Sequence, residues 1–259
     1  MKKFRIILCM TLVACTCYSA EQEKIRMHVM ITPSHEHFFK KWFSPSLKDD
    51  YELVVTRHKQ ESSGIFMKPG WTKAVLRKVD MIVDAIKRNW GKIFIYSDVD
   101  IQFFRPTWPI IASLIGNNDM LIQRVCMDSK RGSCTGFFAC KGNERALKTW
   151  EAIRAHMIRV HAGKKEADDQ RGFNAVMKKN PFQLKVADLP PSFFSGGMYN
   201  CQLWQPGKKL RIPKDIVLHH ANWTLSVGNK LKQFAYVRAQ VKKMNAKKQE
   251  PNDDFAATS

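Results

Sequence analysis

The chain has 259 residues, enough for one substantial α/β domain and short for two independent ones. Hydrophobic residues make up 44% and aromatics 11%, which supplies a core, excludes wholesale disorder and comes without the repeats of a solenoid or propeller. Lys and Arg number 43 against 23 Asp and Glu, a net charge of +20 that favours anionic partners, yet no RNP, zinc-finger or helix-turn-helix pattern accompanies it.

At the N-terminus, Met1-Lys2-Lys3-Phe4-Arg5 precedes an apolar run from Ile6 to Ala14 and the small, polar stretch Cys15 to Ala20. A charged start, a short apolar middle and small residues behind it read as a secretory signal over residues 1–20. The run is shorter than the ~20 apolar residues of a transmembrane helix. A short membrane anchor and a bacterial lipobox ending at Cys15 are the alternative readings. Outside this leader stand Cys126, Cys134, Cys140 and Cys201, an even number that suits an oxidising compartment. No CxxC pair is present, which argues against structural zinc. A Cys126–Cys134 bridge across a short loop is one expectation, with the connectivity left open.

Arg26 to Thr32 reads as a first strand, ended by Pro33. His37 to Leu47 carries aromatics at helical spacing, and Tyr51 to Thr56 reads as a second strand. From Trp71 to Trp90 the apolar residues Val75, Leu76, Val79, Ile82, Val83 and Ile86 follow a 3.6-residue period, and Gly91 ends that helix. Ile93-Phe94-Ile95-Tyr96 is the continuous apolar core of a buried parallel strand. Met120 to Val125 and Gly136 to Cys140 read as strands, Asn143 to His161 and Asp168 to Met177 as helices. Such alternation implies a mostly parallel central sheet with helices on both faces. Residues 21–240 form this single domain, and residues 241–259 read as a flexible polar tail.

Behind the buried strand come Ser97-Asp98-Val99-Asp100. In extended backbone, positions i and i+2 face one way, so Asp98 and Asp100 converge. The C-terminal edge of a parallel sheet is where α/β proteins place their sites. Two carboxylates there suit a hard divalent cation whose remaining positions a diphosphate fills. Two solvated, inert acids are the plainer reading of the triplet alone.

The segment from Phe94 to Pro106 resembles the DxD segment of the nucleotide-diphospho-sugar transferase family with a GT-A fold. Four further blocks follow in the family's order: Thr135-Gly136-Phe137-Phe138, Asp169-Gln170 with Phe173-Asn174, Ala187-Asp188-Leu189 with Gly196-Gly197, and His220-Ala221-Asn222-Trp223 with Lys230. The resemblance covers about Arg26 to Phe234 and implies a GT-A-like α/β fold. It implies that Asp98 contacts ribose or metal, that Asp100 ligates the metal and that His220 adds a third ligand. The expected cation is divalent, usually manganese, which an imidazole nitrogen among oxygens suits better than magnesium. His219, beside it, competes for the role as a core or second-layer histidine. Lys230 is expected on the diphosphate, and Lys78 on the nucleotide. Asp169 and Gln170 are the candidate catalytic residues beside the sugar, although acids at this point also favour a helix N-terminus. Gly196 and Gly197 are expected to let backbone approach the donor. Cys134 departs from the Asn that the family often carries before the Thr-Gly pair.

The implied reaction moves a hexosyl or pentosyl group from a UDP-sugar to an acceptor hydroxyl, with retention. The acceptor, a glycan, protein or lipid, is left open. Two alternatives stand beside it: an inactive basic secreted binding protein on the same fold, and a nucleic-acid or polyanion binder. An exported transferase fits an ER or Golgi lumen or a membrane-anchored location, and the bacterial lipoprotein reading strains the nucleotide-sugar supply. Asn222-Trp223-Thr224 is a glycosylation sequon that falls inside the proposed site and is expected to stay unmodified.

Overall fold

In the computed structural model of the protein, residues 24–60, 66–127, 132–199 and 201–247 are described. The leader of residues 1–20 and the end of the tail, residues 248–259, lie outside them. Among the described residues no helix is long and apolar enough to cross a membrane.

The strands in chain order are β1 (Arg26–Ile31), β2 (Glu52–Arg57), β3 (Ile93–Ser97), β4 (Ile101–Phe103), β5 (Met120–Arg124), β6 (Ser133–Lys141), β7 (Val186–Asp188), β8 (Phe193–Ser195) and β9 (Leu218–His220). The main sheet runs β2-β1-β3-β6-β5-β7, and a small second sheet runs β4-β9-β8. Within the main sheet β6 alone is antiparallel to its neighbours β3 and β5, so the sheet is mostly parallel as expected.

The helices are α1 (Glu36–Phe38), α2 (Trp71–Arg88), α3 (Trp108–Ile115), α4 (Glu144–Ala162), α5 (Asp169–Met177) and α6 (Val227–Lys247). Alternation along β3 divides the core. Phe94 and Tyr96 point to one face, where Val79, Ile82 and Ile86 of α2, Trp150 and Ile153 of α4 and Phe173 of α5 bury them. Ile95 points to the other, with Phe38, Phe43, Ile111 of α3 and Phe234 of α6. Burying each such side chain contributes about 1.5–3 kcal/mol. Asn143 caps α4 by accepting from Ala146 N–H at 3.0 Å, and Asp168 caps α5 by accepting from Arg171 N–H at 2.8 Å.

Three expectations need correction. The aromatic segment before β2 is no single helix: 3-10 turns over Pro33–His35 and Ser44–Ser46 flank α1 and a π turn over Phe39–Phe43, because prolines open both 3-10 turns. The chain does not become a tail at residue 241, since α6 continues to Lys247, with Val241 buried and Met244 packed beside it. The disulfide joins Cys126 to Cys201, with Cα atoms 5.6 Å apart, and leaves Cys134 free and buried. The β5–β6 register explains this, because it sets Cys134 opposite Gln123 and not opposite Cys126.

Candidate active site

β3 ends at Ser97, and the next three residues turn across the C-terminal edge of the parallel strands. Asp98 N–H donates to Gly136 O at 2.7 Å, and Ala221 N–H donates to Asp100 O at 2.9 Å, so this turn is stitched to β6 and to the end of β9. β4 then pairs with β9, matching Ile101 to His220 and Gln102 to His219. Alternation along β9 assigns the two histidines. His219 faces the core, stacked on Phe194, edge-on to Phe234 and hydrogen-bonded to Gln102 at 3.1 Å. Burial lowers its pKa to about 3 and keeps it neutral. His220 faces the carboxylates.

Asp98, Asp100 and His220 each offer a ligand atom within 4.8 Å of the other two. His220 Nε2 lies 3.4 Å from Asp100 Oδ1 and 3.9 Å from Asp98 Oδ2. Gly136 makes the room: a Cβ there would sit 2.2 Å from His220 Cε1 and 2.8 Å from Asp98 Oδ2. Behind the ring, His220 Nδ1 lies 3.0 Å from Gln123 Oε1 and 3.6 Å from Cys134 Sγ. The Gln123 amide is oriented by Nε2, which donates to Phe193 O at 2.9 Å. Its oxygen therefore accepts from Nδ1–H, and Nε2 of His220 is left to face the carboxylates as a ligand. Two carboxylates and an imidazole presented this way fit a divalent cation.

The cationic partners stand around this set. Lys230 Nζ, from α6, contacts Asp100 Oδ2 at 2.5 Å. Burial opposes charge on Asp100, but Lys230 and His220 outweigh it and hold the carboxyl well below the usual range. Burial likewise opposes charge on His220, and Asp100 outweighs it, raising the imidazole to about 10. A bound cation would displace that proton. Lys78, buried on α2, lies 3.0 Å from Asp98 Oδ1 and 2.9 Å from Asp169 Oδ2, with its Nζ 4.8 Å from the Tyr96 ring centre. Burial opposes its charge, and Asp169 and Asp98 keep it protonated. Tyr96 donates its phenol to Asp98 Oδ1 at 2.5 Å.

These groups open onto a cavity of about 540 Å³. Asp98, Asp100, His220, Lys78, Lys230, Asp169 and Gln170 all line it, so most of the residues singled out in the sequence converge. Lys78 is placed between two carboxylates, as a brace for Asp98 and Asp169. Gly196 and Gly197 do not line the cavity. A Cβ on Gly196 would meet Asn222 O at 2.6 Å, and one on Gly197 would meet the Trp223 ring at 2.4 Å, so both glycines serve close packing of the β8 and β9 ends. The Asn222 amide is engaged at both ends, accepting from Gly196 N–H at 2.9 Å and donating to Cys134 Sγ at 3.5 Å. Gln123, Tyr96 and the space at Gly136 were missed in the sequence. The hydroxyl of Tyr96, two residues before Asp98 on the same side of β3, was the one available signal.

Residues 37–234 match the nucleotide-diphospho-sugar transferase family, and the chain belongs to it. The fold is similar to that of a glycosyltransferase involved in glycosylation of the major capsid of PBCV-1, with a TM-score of 0.56 at 11% identity, covering 83% of this chain and 100% of that one. It is also similar to mouse xyloside xylosyltransferase 1 in its apo form, with a TM-score of 0.47 at 10% identity, covering 76% of this chain and 97% of that one. No curated protein matches the chain. The class is thus fixed by family, fold and site together: a GT-A-like glycosyltransferase that uses a nucleotide sugar.

Proposed function

We propose that the protein transfers a sugar from a UDP donor to an acceptor hydroxyl, with retention, using a manganese ion held by Asp98, Asp100 and His220. The observation that carries this reading is the convergence of that ligand set with Lys230, Asp169 and Gln170 on one cavity. When bound, the cation supplies Lewis-acid stabilisation of the departing diphosphate.

The chain's own residues do the rest. Lys230 is partly exposed and paired with Asp100, so it turns to the diphosphate once the carboxylate charge is met, and offsets the charge that develops as the anomeric C–O bond breaks. Lys78 holds the Asp169 carboxylate at a fixed position, and Gln170 also lines the cavity wall, which supports reading both as the residues beside the anomeric carbon. The electron pair of the broken bond leaves with the diphosphate, and the acceptor oxygen bonds to the anomeric carbon as its proton passes to an oxygen of the departing diphosphate. Trp71 also lines the cavity, and its buried indole N–H has no acceptor among the described residues, a donor suited to a nucleotide oxygen. The Cys126–Cys201 disulfide supports work in an oxidising compartment such as a secretory lumen.

The test is a screen of hydrolysis and transfer across UDP-hexoses and UDP-pentoses with manganese, followed by NMR of the anomeric proton of the product. One donor should be turned over with its anomeric configuration kept. An inverted product would overturn retention, and turnover with no dependence on divalent cation would overturn the metal role.

A further inference from the structure

The positive charge is unevenly placed. Residues 202–247 carry ten Lys and Arg against the single acid Asp215, whereas residues 21–201 carry 29 against 19. The fold gathers this segment onto one face. Leu210 and Ile212 pack with Val237 and Val241 of α6, the Trp204 and Tyr236 rings lie 6.1 Å apart, and Leu210 N–H donates to the Tyr236 hydroxyl at 3.3 Å. At 3.6 residues per turn, Lys232, Lys243 and Lys247 share the side of α6 that carries Tyr236, so they flank Lys208, Lys209 and Arg211. All six are exposed. Among the described residues, none of the five lysines has a carboxylate partner.

This face continues the cavity wall. Trp204 N–H donates to Trp223 O at 2.6 Å and Thr224 Oγ1 donates to Trp204 O at 3.1 Å, while Leu203, Trp223, Leu225 and Lys230 line the cavity itself. From Lys232 to Lys247 the helix extends about 22 Å, the reach of an extended polymer and not of a single anion. A bilayer surface is the poorer fit, because a helix that lies on lipid needs a free apolar face. Here Phe234, Val237 and Val241 are spent on the core, and the exposed Leu203 and Leu225 line the cavity mouth and do not form an apolar face along α6.

We propose that the face formed by Lys208, Lys209, Arg211, Lys232, Lys243 and Lys247 docks an acidic acceptor chain, one bearing carboxylate or sulfate groups, and leads its hydroxyl end into the cavity. The proposal rests on the transferase reading and names the acceptor class.

The test uses the full chain and three proteins: wild type, K208Q/K209Q/K243Q/K247Q, and the equal-charge control K87Q/K165Q/K178Q/K179Q, altered at exposed lysines elsewhere. Heparin octasaccharide and an oligogalacturonate of equal length are titrated, beside vesicles containing phosphatidylserine and a short DNA duplex. The face variant should bind the oligosaccharides at least about tenfold more weakly, with a shallower salt dependence, and the control should change less than about twofold. Equal weakening in both variants would reduce the effect to net charge and overturn the proposal. Vesicles or DNA bound more tightly than either oligosaccharide would overturn it too. Stabilisation by UDP with manganese, measured on the same proteins, should be unchanged in all three. Its absence in the wild type would count against the transferase reading instead.

Discussion

Gln123→Leu isolates the group that orients His220, the proposed metal ligand, without touching a ligand atom. In the wild type, His220 Nδ1 lies 3.0 Å from Gln123 Oε1, and Gln123 is completely buried. Leucine fills similar space but accepts nothing, which leaves a buried N–H facing only the Cys134 sulfur at 3.6 Å. An unsatisfied buried donor costs about 1–3 kcal/mol. Manganese affinity should therefore fall by about 10–100-fold, the usual range for loss of such a partner. Phe193 O also loses its donor, so a stability loss of about 1–3 kcal/mol accompanies the change. Calorimetric titration of manganese into protein saturated with UDP reads the first effect, and urea unfolding without metal reads the second. Gln123→Glu keeps an oxygen toward Nδ1 and should recover most of the affinity. Wild-type manganese affinity in the leucine variant would refute the assignment of Gln123.

Asp100→Ala should abolish transfer and donor hydrolysis while the melting temperature moves by only a few degrees, because the freed Lys230 turns to solvent; activity near wild type would refute the metal site. His28 is buried in β1 and its pKa is lowered to about 4, first by burial and then by Arg26 and Arg88. The native state keeps it neutral while the unfolded chain takes up a proton below about 6.5, so stability should fall by up to about 3 kcal/mol between pH 6.5 and 4. Urea midpoints across that window should flatten in His28→Gln, and an unchanged slope would refute the attribution. Cys126→Ser and Cys201→Ser should each cost about 2–4 kcal/mol, with Cys134→Ser costing less; non-reducing peptide mapping that linked Cys134 would overturn the pairing.

The elements that position the site divide by how local their cause is. β3 and α2 were legible because a continuous apolar run and a 3.6-residue period are each written within one segment. Asp98 and Asp100 were placed by the end of β3 and given their roles by the resemblance, and they converge in the turn that follows the strand, not in extended backbone. β4, β8 and β9 are three residues each, too short to carry a period, and exist because they pair with one another, β4 with β9 across more than a hundred residues of sequence. The end of α6 was misread because only Val241 and Met244 stand as large apolar residues among its lysines, and their burial depends on Leu210, Ile212 and Ile216 packing with them. Gln123 was illegible for a related reason. Its side chain meets His220 only because the β5–β6 register shifts at Ile122/Gln123 and β8 supplies the carbonyl that orients it.

The central claim is that Asp100, His220 and Lys230 meet a metal and a diphosphate as one unit. Thermal unfolding with manganese alone, UDP alone and both together tests it most directly. A ligand at 100 times its dissociation constant stabilises the native state by about 2.7 kcal/mol, and each kcal/mol raises the melting temperature by roughly 2–4 °C in a domain of this size. The pair should raise it by several degrees more than the sum of the separate shifts, with magnesium giving less than manganese and His220→Ala narrowing that difference while His219→Ala leaves it in place. A melting temperature indifferent to the pair, or raised equally by any polyanion, would contradict the account.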